Sequence, residues 1–127
     1  MSYEHSNVYH RIGTVENYAE IHLETQRYIE ANYDKRIGLD DFVKAKGFSQ
    51  RQIQRALAYH DTNWQRMLLD VRIERAKGLL MHSSHGVGEI ANMVGYEHSQ
   101  FTRTFTAEEG MGPEEYRKWT RQNRSTA

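Results

Sequence analysis

Cysteine is absent from the 127 residues, which excludes disulfides, thiolate metal sites and cysteine nucleophiles and fits a reducing compartment. Proline occurs once, at Pro113, so little in the chain interrupts helices. No apolar run approaches the roughly 20 residues of a membrane-spanning helix, and the opening MSYEHSNVYHRIG is too polar for a secretory signal. A cytoplasmic location is therefore expected. Extended β-branched alternation is missing, while apolar residues recur at helical spacing almost throughout. An excess of one charge is missing too. The 17 basic residues match 17 acidic ones, which argues against a polycation that simply coats nucleic acid. The length suits one modest domain or two very small ones, enough to bury a core without staples.

The charge that is present lies unevenly. Between Lys44 and Lys77 there are eight basic residues (Lys44, Lys46, Arg51, Arg55, Arg66, Arg72, Arg75 and Lys77) against the three acids Asp61, Asp70 and Glu74. The first 36 residues carry six acids against four bases. Positive charge is thus concentrated mid-chain, where a surface that contacts a phosphate backbone needs it.

The expected class is all-α. Residues 1–15, with Tyr3, His5, Tyr9 and His10, lack periodicity and read as a flexible arm. A helix over Val15 to Asn32 offers Tyr18, Ile21, Leu23, Tyr28 and Ile29 for an apolar face. A short helix from Leu39 to Lys46 meets Gly47, which tolerates a left-handed turn. Ser49 is a good N-cap for a helix ending near Tyr59. Asn63 caps a long helix from Trp64 to His82, with Leu68, Leu69, Val71, Ala76, Leu79 and Leu80 facing inward. Ser83 to Gly88 reads as a loop, Glu89 to Val94 as a short helix, Gly95 as a turn and His98 to Glu109 as a further helix. Gly110 ends that helix, and Pro113 opens the last one, where a missing N–H costs nothing. Trp64 and Trp119 read as packing residues.

The chain repeats itself at one constant offset, without a gap. Asp41, Phe42, Val43, Gly47, Phe48, Ile53, Arg55 and Leu57 align with Glu89, Ile90, Ala91, Gly95, Tyr96, Phe101, Arg103 and Phe105. Each copy is a short helix, a glycine turn and a second helix, the helix-turn-helix pattern. The expected organisation is an arm (1–15), a first helix-turn-helix subdomain (16–62), a connecting helix (63–82), a second subdomain (83–120) and a tail (121–127). A connecting helix of that size spans about 28 Å, and successive major-groove faces of duplex DNA lie about 34 Å apart. Two recognition helices in adjacent major grooves are therefore expected, with one chain supplying both half-sites as a monomer.

These residues resemble the AraC/XylS family of transcription regulators over about residues 21–118. The resemblance rests on Ile37-Gly-Leu-Asp-Asp-Phe, Ser49 through Leu57, Arg72-Ile-Glu-Arg-Ala-Lys-Gly-Leu-Leu, Glu89-Ile-Ala-Asn-Met-Val-Gly-Tyr, Phe101-Thr-Arg-Thr-Phe and Gly110-Met-Gly-Pro-Glu-Glu-Tyr-Arg. The family's usual glycine after the first recognition helix is Thr62 here, and its usual basic residue after the last apolar position is Ala58. The segment Gly95 to Phe105 is one residue shorter than is common. The stretch ahead of the match is too short to build a sensor domain, so the chain resembles short, sensor-less members or a fragment of a longer one. The resemblance implies double-stranded DNA as partner, contact with bacterial RNA polymerase, a nucleoid-associated location and, more often than not, activation. An architectural or phage- or plasmid-type DNA-binding protein is the alternative, as is a protein-interaction module on the same fold.

On the first recognition helix, Ile53 and Leu57 face inward and Gln50, Arg51, Gln54, Arg55 and Ala58 face away. Arginine pairs bidentately with guanine and glutamine with adenine, and the family positions that touch bases fall on Arg51, Gln54 and Arg55. On the second helix Phe101 and Phe105 face inward, which leaves Ser99, Gln100, Thr102, Arg103 and Thr106. Backbone amides at Ser49 and near His98 lie at helix N-termini, which favour phosphate, and Lys44, Lys46 and Arg66 are further phosphate candidates. His82-Ser-Ser-His85 offers two histidines without a third ligand. No nucleophile–base arrangement or phosphate loop is evident, so neither an enzyme nor a cofactor is expected.

Overall fold

The computed structural model describes residues 15–126, with side chains from Asn17 to Arg124. The expected arm lies outside the described residues but for its last position. Seven helices follow: α1 (Val15–Asn32), α2 (Leu39–Lys46), α3 (Gln50–Tyr59), α4 (Trp64–His82), α5 (Val87–Met93), α6 (His98–Glu109) and α7 (Pro113–Thr126). No strand occurs among the described residues, and none of these helices is long and apolar enough to cross a membrane. Two compact units divide the chain. The first runs to the end of α1 at Asn32 and resumes over Ile37–Leu69; the second combines Tyr33–Arg36 with the chain from Asp70 onward.

In the first unit, Ile21, Thr25 and Ile29 of α1, Phe42 of α2 and Ile53, Ala56 and Leu57 of α3 are buried together with Trp64 and Met67. Phe42 sits among rings, 5.1 Å from Tyr28 and 6.0 Å from Trp64 between centroids. Leu23, expected on the inner face, is instead 48% exposed. At about 100° per residue it lies roughly 200° around the helix from Ile21, whereas Thr25 lies one turn on, beneath it. Thr25 enters the core because its hydroxyl donates to the Ile21 carbonyl at 2.7 Å.

The second unit buries Val71, Ile73, Ala76 and Leu80 of α4 with Ile90, Ala91, Val94, Tyr96, Phe101, Phe105 and Tyr116. Leu79, like Leu68 and Leu69 of the first unit, is only half-buried. Trp119 touches Tyr116 at 5.9 Å yet stays half-exposed. Helix α5 starts at Val87, ahead of the expected Glu89, because Gly86 caps it. The Gly86 N–H donates to Glu89 Oε1 at 3.3 Å, and the Gly86 carbonyl accepts from Ile90. Helix α2 begins the same way at the equivalent register of the first copy, with the Gly38 N–H donating to Asp41 Oδ2 at 2.8 Å. Helix α7 continues to Thr126, past residue 120.

Two arginines are buried within the second unit. Arg72 donates from Nε to the Tyr33 carbonyl and from Nη2 to the Lys35 carbonyl, each at 2.8 Å, with its guanidinium 5.0 Å from the Tyr96 ring centre. Arg117 donates to the carbonyls of Leu80, Ser83 and His85. Lys35 and Ser83 occupy the same register of the repeat, so in both copies an arginine holds the turn that leads into the helix-turn-helix. Arg72 belongs to the mid-chain run of positive charge. Its burial, 8% exposed, removes it from any surface that meets phosphate.

Candidate nucleic-acid interface

The turn between α2 and α3 is made by Gly47, left-handed at φ 82° with its N–H donating to the Val43 carbonyl. Ser49 then closes a reciprocal cap: Gln52 N–H donates to Ser49 Oγ at 3.1 Å, and Ser49 N–H donates to Gln52 Oε1 at 2.8 Å. The buried set Ile53, Ala56 and Leu57 fixes which side of α3 turns outward. Arg51, Gln54, Arg55 and Ala58 are exposed on that side. Gln50 and Gln54 form one wall of a groove shared with Leu39 and Trp64 of the same unit.

The second unit repeats this construction. Gly95, at φ 92°, precedes the extended N-cap Glu97 of α6 by the same interval that separates Gly47 from Ser49. The two copies therefore match without a gap. Gln50 corresponds to His98, Arg51 to Ser99, Gln54 to Thr102, Arg55 to Arg103 and Ala58 to Thr106. Ser99, Thr102 and Arg103 share a shallow surface hollow with Glu97 and His98. Gln100 takes the place of Gln52, on the shoulder away from Thr102. His98 joins this set at the register of Gln50. Its Nδ1 lies where a Cβ on Gly88 would come within 3.2 Å, so the glycine leaves room for the ring.

Two hydroxyls on α6 are turned back onto the helix. Thr102 Oγ1 donates to the His98 carbonyl at 3.1 Å and Thr106 Oγ1 to the Thr102 carbonyl at 2.7 Å. Among the phosphate candidates, Lys44 and Arg66 are exposed, with the Arg66 N–H donating to the capping Asn63 Oδ1 at 2.8 Å. Lys46 pairs with Glu24 at 3.4 Å. The Ser49 amide is engaged by Gln52, as above. Lys77 sits 3.2 Å from Glu74 and 3.3 Å from Glu109. Burial works against its protonation, but the two carboxylates outweigh that and hold its ammonium above the usual lysine range. Glu109 is thereby tied to Lys77, while Glu97 and Glu108 remain exposed acids on the second unit.

A helix-turn-helix domain family matches residues 42–119. The chain is 33% identical over 93 residues to the raffinose operon transcriptional regulatory protein RafR of Pediococcus pentosaceus, covering 72% of this chain and 34% of the relative. It is 29% identical over 86 residues to the transcriptional activator FapR of Escherichia coli, covering 67% of this chain and 33% of the relative. It spans about a third of the length of these relatives. Among solved structures, a Chromobacterium violaceum transcriptional regulator described as AraC-type superposes with a TM-score of 0.72 at 27% identity, over 77% of this chain and 89% of that one.

Proposed function

Since the chain belongs to the AraC-type helix-turn-helix family, we propose that it is a sequence-specific DNA-binding transcription regulator whose helices α3 and α6 enter major grooves. The observation that carries the reading is the repeated placement of an exposed arginine, Arg55 and Arg103, on the face of each helix opposite its buried pair, Ile53 with Leu57 and Phe101 with Phe105. Direct readout needs that arrangement: an apolar face that anchors the helix and a donor-rich face at base edges. Gln50, Arg51, Gln54 and Arg55 read the first half-site, and Ser99, Gln100, Thr102 and Arg103, joined by His98, the second. Lys44 and Arg66 contact phosphate. The subdomains run over 16–62 and 83–120, bridged by residues 63–82.

The protein works in the cytoplasm as a monomer on an asymmetric site, in contact with RNA polymerase and more often as an activator; the designation of FapR as an activator supports that direction. The family and fold are those of DNA-binding regulators, not of enzymes. Selection of bound sequences from random duplex DNA tests the reading. The expected outcome is one asymmetric site, bound by one chain, with affinity that falls steeply as salt rises. Equal affinity for selected and random duplexes would overturn it, and a 2:1 complex in sedimentation would overturn the monomer.

A further inference from the structure

We propose that each recognition helix reads the 5-methyl group of a thymine one turn beyond its arginine, through Ala58 on α3 and Thr106 on α6, with Thr102 adding a second methyl contact. The proposal rests on the DNA-binding reading and names what part of the base is recognised.

Ala58 and Thr106 occupy the same register of the repeat, each three residues after the exposed arginine of its helix, and both are exposed. Three residues correspond to about 300° of rotation, so arginine and methyl-bearing residue share one side. Ala58 has nothing to offer except a methyl group. Thr106 has a hydroxyl, but its one donor is given to the Thr102 carbonyl at 2.7 Å. Thr102, half-buried at the edge of the same face, gives its donor to the His98 carbonyl at 3.1 Å. With their protons given to the helix backbone, these hydroxyls have no donor left for a base, and the methyl groups are the apolar contacts this face offers. In the major groove thymine alone among the four bases presents a methyl group, and apolar contact with it needs no donor. A threonine methyl can therefore play here the part that the alanine methyl plays in the first unit.

The test uses the full chain and the selected duplex, with each thymine replaced singly by deoxyuridine, which lacks only the methyl. One thymine in the first half-site and two in the second should each show a loss of about fourfold, the worth of one buried methyl group. Thr106→Val, which keeps a methyl and lacks the hydroxyl, should bind the thymine duplex like the parent and retain the deoxyuridine deficit. Thr106→Ser, which keeps the hydroxyl and lacks the methyl, should lose about fourfold on thymine and be indifferent to deoxyuridine at that position. The same pattern is expected for Thr102. Thermal melts confirm that each variant is folded. Uniform indifference of the parent to deoxyuridine would overturn the proposal. So would the reverse pattern, Val weakened and Ser unaffected, which marks a hydroxyl that accepts from a base amine. Failure of the parent to prefer any duplex sinks the DNA-binding reading itself, a result separate from binding without methyl sensitivity.

Discussion

Gly95 approaches Tyr33 so closely that a Cβ on the glycine would lie 2.7 Å from the Tyr33 carbonyl oxygen and 2.9 Å from Arg72 Nη2. The equivalent Gly47 shares the left-handed backbone but faces open space. Gly47→Ala should therefore cost about 1–2 kcal/mol, the penalty of a left-handed L-residue. Gly95→Ala carries that penalty and must also push apart the Arg72–Tyr33 hydrogen bond, so it should cost clearly more. Urea unfolding of both variants checks this; equal losses would show that the Tyr33 turn yields freely.

Arg72 and Arg117 are the two arginines whose replacement should damage folding and not DNA chemistry. Arg72→Met leaves two part-buried carbonyls without their charged donor, and a loss of about 1–3 kcal/mol is expected. The same holds for Arg117→Met. Because neither guanidinium faces solvent, the dependence of DNA affinity on salt should be unchanged in whatever fraction remains folded. A reduced salt slope for Arg72→Met would place that arginine on phosphate.

His22 and His60 stack at 4.4 Å between ring centres, 16° from parallel, joining α1 to the C-terminal end of α3, where His60 Nδ1 is 2.9 Å from the Ala56 carbonyl. Burial first, and then the charge of His60, push the His22 pKa below the ordinary value of 6.5. A depressed folded value means that the unfolded chain takes up the proton more readily. Stability is then complete above the ordinary value and falls as the pH drops through it toward the folded value. Unfolding measured between about pH 8 and pH 5 should show this decline, and His22→Phe, which keeps a ring in the stack, should flatten it. An unchanged slope in that variant would assign the decline to other groups.

Most helix limits were legible because their signals are side chains that act locally. Ser49 and Asn63 do cap α3 and α4 through their own oxygens, Gly110 ends α6 in a left-handed conformation, and Pro113 opens α7. The start of α5 was hidden because its cap is a glycine whose partner, Glu89, lies nearly a turn further on. Burial of Arg72 was invisible to a count of charge, since its partners are carbonyls distant in the chain, those of Tyr33 and Lys35. The inward turn of the Thr102 and Thr106 hydroxyls is a rotamer choice that no residue list encodes. The exposed sides of α3 and α6, by contrast, follow directly from where Ile53, Leu57, Phe101 and Phe105 must go.

The end of α3 gives a prediction of its own. The family's glycine is replaced by Thr62, yet the left-handed residue is Asp61, at φ 59°. The Asp61 N–H donates to the Ala58 carbonyl and the Thr62 N–H to that of Leu57, so the chain turns one residue before the position that Gly110 occupies in the second copy. Asp61→Gly should relieve the left-handed strain and stabilise the protein by about 0.5–1 kcal/mol, the balance between that relief and the added freedom of the unfolded chain. Thr62→Gly, at a residue without positive φ, should stabilise nothing. Melting curves of the two variants decide between these positions.

The two recognition helices should not contribute equally to sequence preference. Helix α3 presents Arg51, Gln54 and Arg55 together, all exposed, and each of these side chains has the polar groups for bidentate pairing with a purine, two donors on arginine and a donor with an acceptor on glutamine. Helix α6 presents Arg103 beside Ser99 and two threonines whose donors are engaged by their own helix, with the exposed acid Glu97 at its start. A bidentate contact discriminates by about 1–3 kcal/mol, whereas one apolar methyl contact is worth about 0.8 kcal/mol. Arg55→Ala or Gln54→Ala should therefore cost about 1–3 kcal/mol on the selected site and relax preference at one or two base pairs. Arg103→Ala should weaken binding with less change in preference. None of the three removes core volume, so melting temperatures should stay close to that of the parent. The measurement is binding-site selection repeated with each variant. If Arg103→Ala erases a sharply defined half-site while Arg55→Ala and Gln54→Ala keep theirs, the division of labour runs the other way.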